Sequence, residues 1–234
     1  MTTNHLLHEY RIKTKILRPD SSLCKTFNNY PTTAISDVME SRNTLTQSIK
    51  PVWNPTPRLV GSAITVNSNA GDEILILKAI EIAKPGDIII VAGNANPTTA
   101  CWGGVMSAMA QSRGVKGLIT DGMIRDVSDC RELKFPIWAT GVTPIAPNSD
   151  IPPGDLNLPV SIGEVIVHPG DLVIADEDGV VIVPKEIIED ISISVQSRLS
   201  MEEKWIEKIS SSGEMIFKDK IDDILNYRNV EYLD

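Results

Sequence analysis

The chain has 234 residues, 42% of them hydrophobic and 23% charged, the proportions of a globular protein with one sizeable core. Its 31 Asp and Glu against 22 Lys and Arg leave a formal net charge of −9, which argues against a general nucleic-acid binder, since phosphate contacts need basic surface. The 3 cysteines form no CxxC pair and no run reaches the ~20 apolar residues of a membrane span, so neither a disulfide framework, a structural zinc nor a membrane is expected, and the location expected is the cytoplasm.

In chain order, residues 1–25 read as a polar N-terminal arm with room for one short helix. Pro31 to Ser41 has a helical pattern, with Thr32 or Thr33 as the cap and Ile35, Val38 and Met39 on one face. LVGSAITV, from Leu59 to Val66, reads as a strand whose Gly61 allows a bulge or close packing. Glu73 to Lys84 has helical length and is stopped by Pro85-Gly86. DIIIVA, from Asp87 to Ala92, is the continuous apolar run of a strand buried on both faces. Behind the next loop, Trp102, Val105, Met106, Met109 and Ala110 recur at helical spacing until Gly114.

KGLIT is a short strand that leads into TDGMIRDVSD, Thr120 to Asp129. A short helix is predicted from Asp126 to Leu133 and a strand from Pro136 to Thr140. Beyond Gly141, VSIGEVIVHPGDLVIADEDGVVIVP predicts antiparallel hairpins, with Asp178-Gly179 as one turn. Lys185 to about Ile209 is a long helix striped by Ile188, Ile191, Val195 and Leu199. Residues 211–234 read as a charged C-terminal arm that packs on a neighbouring subunit. KPGDIIIVA and HPGDLVIAD share one pattern, a Pro-Gly-Asp turn feeding a core strand. With no clear linker, residues 26–210 make one mixed α/β domain.

Familiar catalytic patterns are missing: HExxH, GxxxxGK[ST] and a post-strand GxGxxG do not occur, and two of the 3 histidines lie in the N-terminal arm. Two features remain. Gly103-Gly104 stands where a helix begins, although each glycine costs about 1 kcal/mol there relative to alanine. Either it serves tight helix packing, or bare backbone lets an anion approach the helix N-terminal amides. Arg125-Asp126 follows a strand and the Asp121-Gly122 turn, at the end of an α/β strand where ligand crevices open. It is either a surface ion pair or a site in which Arg125 grips an anion and Asp126 a hard divalent cation.

From Gly104 through Arg125-Asp126 to Asp129, the spacing resembles the signature of the class II 4-hydroxy-4-methyl-2-oxoglutarate aldolases of the RraA-like family, which also contains the regulator of ribonuclease activity A. LVGSAITV, the PGD strand, ACWGG, GLITDGMIRD and PGDLVIADEDGVVIVP have counterparts in the same order, so the resemblance covers roughly residues 30 to 210. It implies an α/β fold, a swivelling β/β/α sandwich with terminal helical arms, assembled as a homotrimer or homohexamer. It implies a carbon-carbon lyase that releases pyruvate from a 4-hydroxy-2-oxo acid and also decarboxylates oxaloacetate, using Mg²⁺ or Mn²⁺. Gly103, Gly104, Val105 and Met106 match the substrate loop, Arg125 the pyruvate-binding arginine, and Asp126 the metal ligand. Asp129 matches the last acidic position of the signature and is taken with Asp126 as a metal residue. For the base, Asp121 and a C-terminal-helix glutamate, Glu202 or Glu203, are the candidates. The alternative is a protein-binding trimer like the ribonuclease regulator, without catalysis.

Overall fold

Successive side chains of a strand point to opposite faces, so a strand as apolar as DIIIVA needs cover on both. The structure, a computed structural model, describes residues 10–68, 73–146, 154–228 and 230–231, and in it that cover is a helical layer on one side and a β layer on the other. Ile89 and Val91 pack with Leu75, Ile76, Met106 and Ala110 of the helices Glu73–Ile82 and Gly104–Ser112. Ile88, Ile90 and Ala92 pack instead with Val160, Ile162, Val165 and Val167 of a two-stranded hairpin, Val160–Ile162 with Val165–Val167. Burial of each such branched side chain stabilises the fold by about 1.5–3 kcal/mol. A third cluster lies under the long helix Ile188–Ser212 and the helix Thr32–Val38, where Phe27, Ile35, Ile188 and Val195 cover the hairpin of Leu172–Ala175 with Val180–Val183.

Four parallel strands lie side by side at the centre, Leu59–Asn67, Asp87–Ala92, Gly117–Thr120 and Ile137–Ala139. The last three each lead by a short connection into a second, smaller parallel sheet: Ala100–Trp102, Met123–Ile124 and Gly141–Val142, in the same lateral order. The chain segments leaving this small sheet therefore emerge next to one another.

The two Pro-Gly-Asp sequences form the same turn. Gly86 and Gly170 have φ of +97° and +88°, the value a type II turn requires after proline. In each, the buried aspartate reaches back to the amide three residues earlier: Lys84 N–H donates to Asp87 at 2.7 Å and His168 N–H to Asp171 at 2.8 Å. Arg18 neutralises Asp87 through two hydrogen bonds of 2.7 Å, and Lys185 lies 3.5 Å from Asp171. Arg18 thus ties the N-terminal segment to the sheet, as does the strand Arg11–Ile12, which pairs with Asp155–Leu156. Residues 1–9 of the expected N-terminal arm and 229 and 232–234 of the C-terminal arm lie outside the described residues.

The close packing expected at Gly61 is observed, because a Cβ there would stand 2.2 Å from the Gly86 carbonyl oxygen. Gly61→Ala is expected to cost about 3 kcal/mol by forcing backbone apart, lowering the thermal midpoint by about 6–10 °C. A midpoint within 2 °C of the parent, roughly the effect of a neutral surface change, would contradict that packing.

Most predicted elements are observed with ends shifted by one to three residues, and two helix ends show why. The Thr32/Thr33 cap is not made: Pro31 takes the N-cap position, and both the N–H and the hydroxyl of Thr32 donate to Asp176, which also pairs with Arg58 at 2.8 Å. The tertiary partner wins over the local cap. The long helix starts at Ile188 and ends at Ser212, where Gly213 turns left-handed with φ +65°. Beyond it the helix Lys218–Tyr227 follows, and Trp205 meets Phe217 edge-on at 4.9 Å.

Candidate active site

Three exits from the small sheet build the site. Gly103 leaves Ala100–Trp102 and begins the helix Gly104–Ser112; Arg125 leaves Met123–Ile124; Thr143 follows Gly141–Val142. Arg125, Asp126, Val127, Val142, Thr143 and Pro144 line a cleft of about 290 Å³. A larger cavity, about 360 Å³, lies at the opposite, N-terminal end of the strands, against Gly86, Asp87 and Lys116. Its Arg18 is already committed to Asp87, with Lys25 and Lys116 beside it; the cleft at Arg125 lies at the C-terminal strand ends, where α/β folds open onto ligands, and is the better candidate.

Asp126 precedes the helix Val127–Glu132, where an aspartate normally caps its own helix. It does not. Its backbone is left-handed, φ +56° and ψ +44°, and the side chain turns across to the next helix, accepting the Gly104 N–H at 3.1 Å. A non-glycine residue held this way costs about 1–3 kcal/mol, and such residues cluster at functional sites. The Arg125 Nε stands 3.5 Å from the same carboxylate oxygen, while Arg125 N–H donates to Trp102 O at 2.9 Å and joins the two exits. About 40% of each side chain, 41% and 39%, faces solvent.

The twin glycines are explained by these neighbours. A Cβ on Gly103 would lie 2.6 Å from Asp126 Oδ2, and one on Gly104 would lie 2.8 Å from the Asp129 Cβ. Both carboxylates thus press on the helix start. Since the Gly104 amide is already taken, Val105 and Met106 carry the first-turn amides that helix geometry leaves without an acceptor. Their side chains do other things: Val105 is exposed and Met106 is buried in the core against the helical layer. Gly103→Ala is expected to lower turnover about 100-fold by displacing Asp126, with the circular-dichroism melting curve little changed. Full activity in that variant would show that the carboxylate position does not matter.

Behind the glycines is a buried polar network. Trp102 Nε1 donates to Ser107 Oγ at 2.8 Å, Ser107 Oγ donates to Gly103 O at 3.0 Å, and Cys130 Sγ lies 3.3 Å from the same hydroxyl. Nothing in the sequence pattern singled out Ser107, because a serine inside a helix is unremarkable until its partners are known. Burial pushes the Cys101 thiol up to about 11, so it is not a thiolate nucleophile near neutral pH.

The remaining candidates are placed elsewhere. Asp121 latches the loop after Asp87–Ala92, accepting Gly93 N–H at 2.6 Å and Ala95 N–H at 3.2 Å. Burial pushes its carboxyl up, and those two amides offset part of the rise. Glu202 sits on the long helix, 2.9 Å from Arg198, in a cleft with Tyr30 and Glu203 that shares no residue with the one at Arg125.

The donors at Arg125 suit one kind of metal. Among the described residues no three His, Cys, Asp or Glu side chains group as a metal cage. One half-exposed carboxylate in the cleft, with Asp129 against the neighbouring glycine Gly104, fits a hard cation such as Mg²⁺, which retains waters and uses one or two carboxylates plus substrate oxygens. Among the described residues, no helix is long and apolar enough to cross a membrane.

Known proteins share this arrangement of elements. A Halalkalibacterium halodurans protein named "Putative 4-hydroxy-4-methyl-2-oxoglutarate aldolase" is 37% identical over 186 residues, 80% of this chain and 88% of its own. The Thermus thermophilus protein named "4-hydroxy-4-methyl-2-oxoglutarate aldolase" is 30% identical over 114 residues, 49% of this chain and 69% of its own. The crystal structure of Streptomyces coelicolor RraAS2, described as an unusual member of the RNase ES inhibitor RraA protein family, aligns with a TM-score of 0.72 at 30% identity, covering 82% of this chain and 100% of that one. The family model described as RraA-like, Aldolase/RraA, matches residues 32–182, the span that holds the three sheet exits and the central sheet, and the chain belongs to that family.

Proposed function

We propose that this chain is a divalent-metal-dependent lyase that cleaves a 4-hydroxy-2-oxo acid, of the 4-hydroxy-4-methyl-2-oxoglutarate type, to pyruvate, and that it also decarboxylates oxaloacetate. The observation that carries the reading is Asp126, held left-handed between the Gly104 amide and Arg125 in an open cleft. A surface ion pair needs no strained backbone and no pair of glycines to accommodate it.

Asp126, with Asp129 beside it, would hold Mg²⁺ or Mn²⁺, which when bound supplies Lewis acidity toward the 2-keto oxygen. Arg125 binds and orients the oxo acid and places positive charge where the enolate oxygen develops. The Val105 and Met106 amides receive the C1 carboxylate at the helix N-terminus. The C3–C4 bond breaks with its electron pair moving to C3, a base takes the C4 hydroxyl proton, and C3 is then protonated to give pyruvate. Asp121 is committed to the Gly93 and Ala95 amides in this state. Glu202 lines a different cleft in its own chain, so its use as the base requires a neighbouring copy, consistent with the homotrimer or pair of trimers we propose.

A second reading, a protein-binding trimer without catalysis, draws support from the RraAS2 likeness. Exchange of the pyruvate methyl protons in D₂O, followed by proton NMR, separates the two without knowledge of the natural substrate. The lyase reading expects exchange that requires added Mg²⁺. No exchange above the protein-free rate would favour the binding protein.

A further inference from the structure

The cavity at the N-terminal ends of the strands shares no residue with the cleft at Arg125. Its volume of about 360 Å³ lies between the helix Ser21–Thr26 and the turn Pro85-Gly86-Asp87. The wall over the turn is open, since a Cβ on Gly86 would meet nothing within 4 Å. Val60, Cys24 and Pro85 give it apolar sides.

Its charge runs against that of the whole molecule. On a chain with formal net charge −9, the lining carries three cations, Arg18, Lys25 and Lys116, against the carboxylate of Asp87 alone. That carboxylate is fully engaged: it is 1% exposed and accepts from Arg18 Nε, Arg18 Nη2 and the Lys84 N–H, each at 2.7 Å. Lys116 is fixed beside it, because its own N–H donates to Asp87 O at 2.8 Å. Asp20, the one acidic residue from Tyr10 to Tyr30, is turned to its own helix start, where it accepts the Ser22 N–H at 2.8 Å. Among the described residues, neither the Lys25 nor the Lys116 ammonium makes a salt bridge.

A second, independent observation lies on the floor of the cavity. Ser62 is 7% exposed, and among the described residues its hydroxyl makes no hydrogen bond. It stands in the lining with Val60, two positions back on the same face of the strand Leu59–Asn67. Buried hydroxyls are nearly always hydrogen-bonded, so the partner of this one is a group that enters the cavity. We propose that the cavity binds a small organic dianion, its charges held by Lys25 and Lys116 at the mouth and an oxygen bonded to Ser62 at the floor. Such a ligand would clamp the N-terminal segment to the central sheet, and its binding does not depend on the reaction at Arg125.

Isothermal calorimetry on the full chain tests this with three probes. Glycerol 3-phosphate carries its two charges on one phosphate, succinate on two carboxylates, and acetate is the singly charged control. At least one dianion is expected to bind about 10-fold more tightly than acetate. Lys25→Gln combined with Lys116→Gln should weaken that binding about 10-fold, and Ser62→Ala about 5-fold. Both lysines are exposed, so the double variant reports on binding without disturbing the core. Arg125→Gln should leave the affinity unchanged, which separates this cavity from the cleft. Preference for one dianion identifies the ligand as a phosphate ester or a dicarboxylate, and either supports the site. No heat from either dianion at millimolar concentration would leave the cavity to solvent and overturn the proposal. Binding that falls with Arg125→Gln but survives the lysine and serine changes would overturn it as well.

Discussion

Asp126→Asn is expected to reduce metal-dependent pyruvate release by about 1,000-fold, the scale on which removal of a charged group that anchors an electrophilic metal acts. Asparagine is the informative replacement because it tolerates the left-handed backbone at φ +56° and its amide oxygen can still accept the Gly104 N–H at the 3.1 Å position. Only the charge is lost. The thermal midpoint should therefore stay close to the parent value, while Mn²⁺ affinity measured by calorimetry falls with the rate. A variant that binds Mn²⁺ as before, or turns over as before, would remove Asp126 from the metal site.

Arg125→Lys should cost about 100-fold in kcat/KM for the oxo acid, since an ammonium cannot reproduce a planar fork that meets a carboxylate and a keto oxygen together. The backbone N–H that Arg125 donates to Trp102 is kept by any residue here, so the exit of the strand should not move. Among the described residues the guanidinium has only the 3.5 Å contact to Asp126, which leaves its terminal nitrogens available to a ligand. Metal affinity in the absence of substrate should be unchanged, which separates this variant from Asp126→Asn. Equal losses of both affinities would mean that Arg125 acts only by holding Asp126.

The parts of this molecule that were legible in sequence are those in which a pattern repeats over several residues. DIIIVA could only be a strand with cover on both faces, and both layers are present. The strand at Leu59–Asn67, the helix Gly104–Ser112 and the hairpin turning at Gly179 follow the same logic. The glycine pair and Arg125-Asp126 were visible as costly or unusual choices, and the geometry supplies the reason: each glycine faces a carboxylate.

What escaped was short or tertiary. Met123–Ile124 and Gly141–Val142 are two-residue strands, too brief for any periodicity, yet they bring Arg125 and Thr143 to one edge. Val142 and Pro144 drew no notice in sequence, because only that alignment puts them in the lining of the cleft. Thr32 was read as a cap because the local rule favours it, but Asp176, 144 positions away, captured its hydroxyl and amide. Arg18 lay in a stretch read as an arm, and only the buried Asp87 shows why it is held.

In the proposed reaction the cleft at Arg125 and Asp126 makes pyruvate with a divalent cation. Initial rates of pyruvate release, coupled to lactate dehydrogenase, decide this when 4-hydroxy-2-oxo acid is fixed and Mg²⁺ is titrated from an EDTA-treated baseline. The expected result is a rate that is negligible in EDTA, saturates with Mg²⁺, and is absent for Asp126→Asn across the same range. Release that proceeds equally in EDTA, or that Asp126→Asn retains, would contradict it.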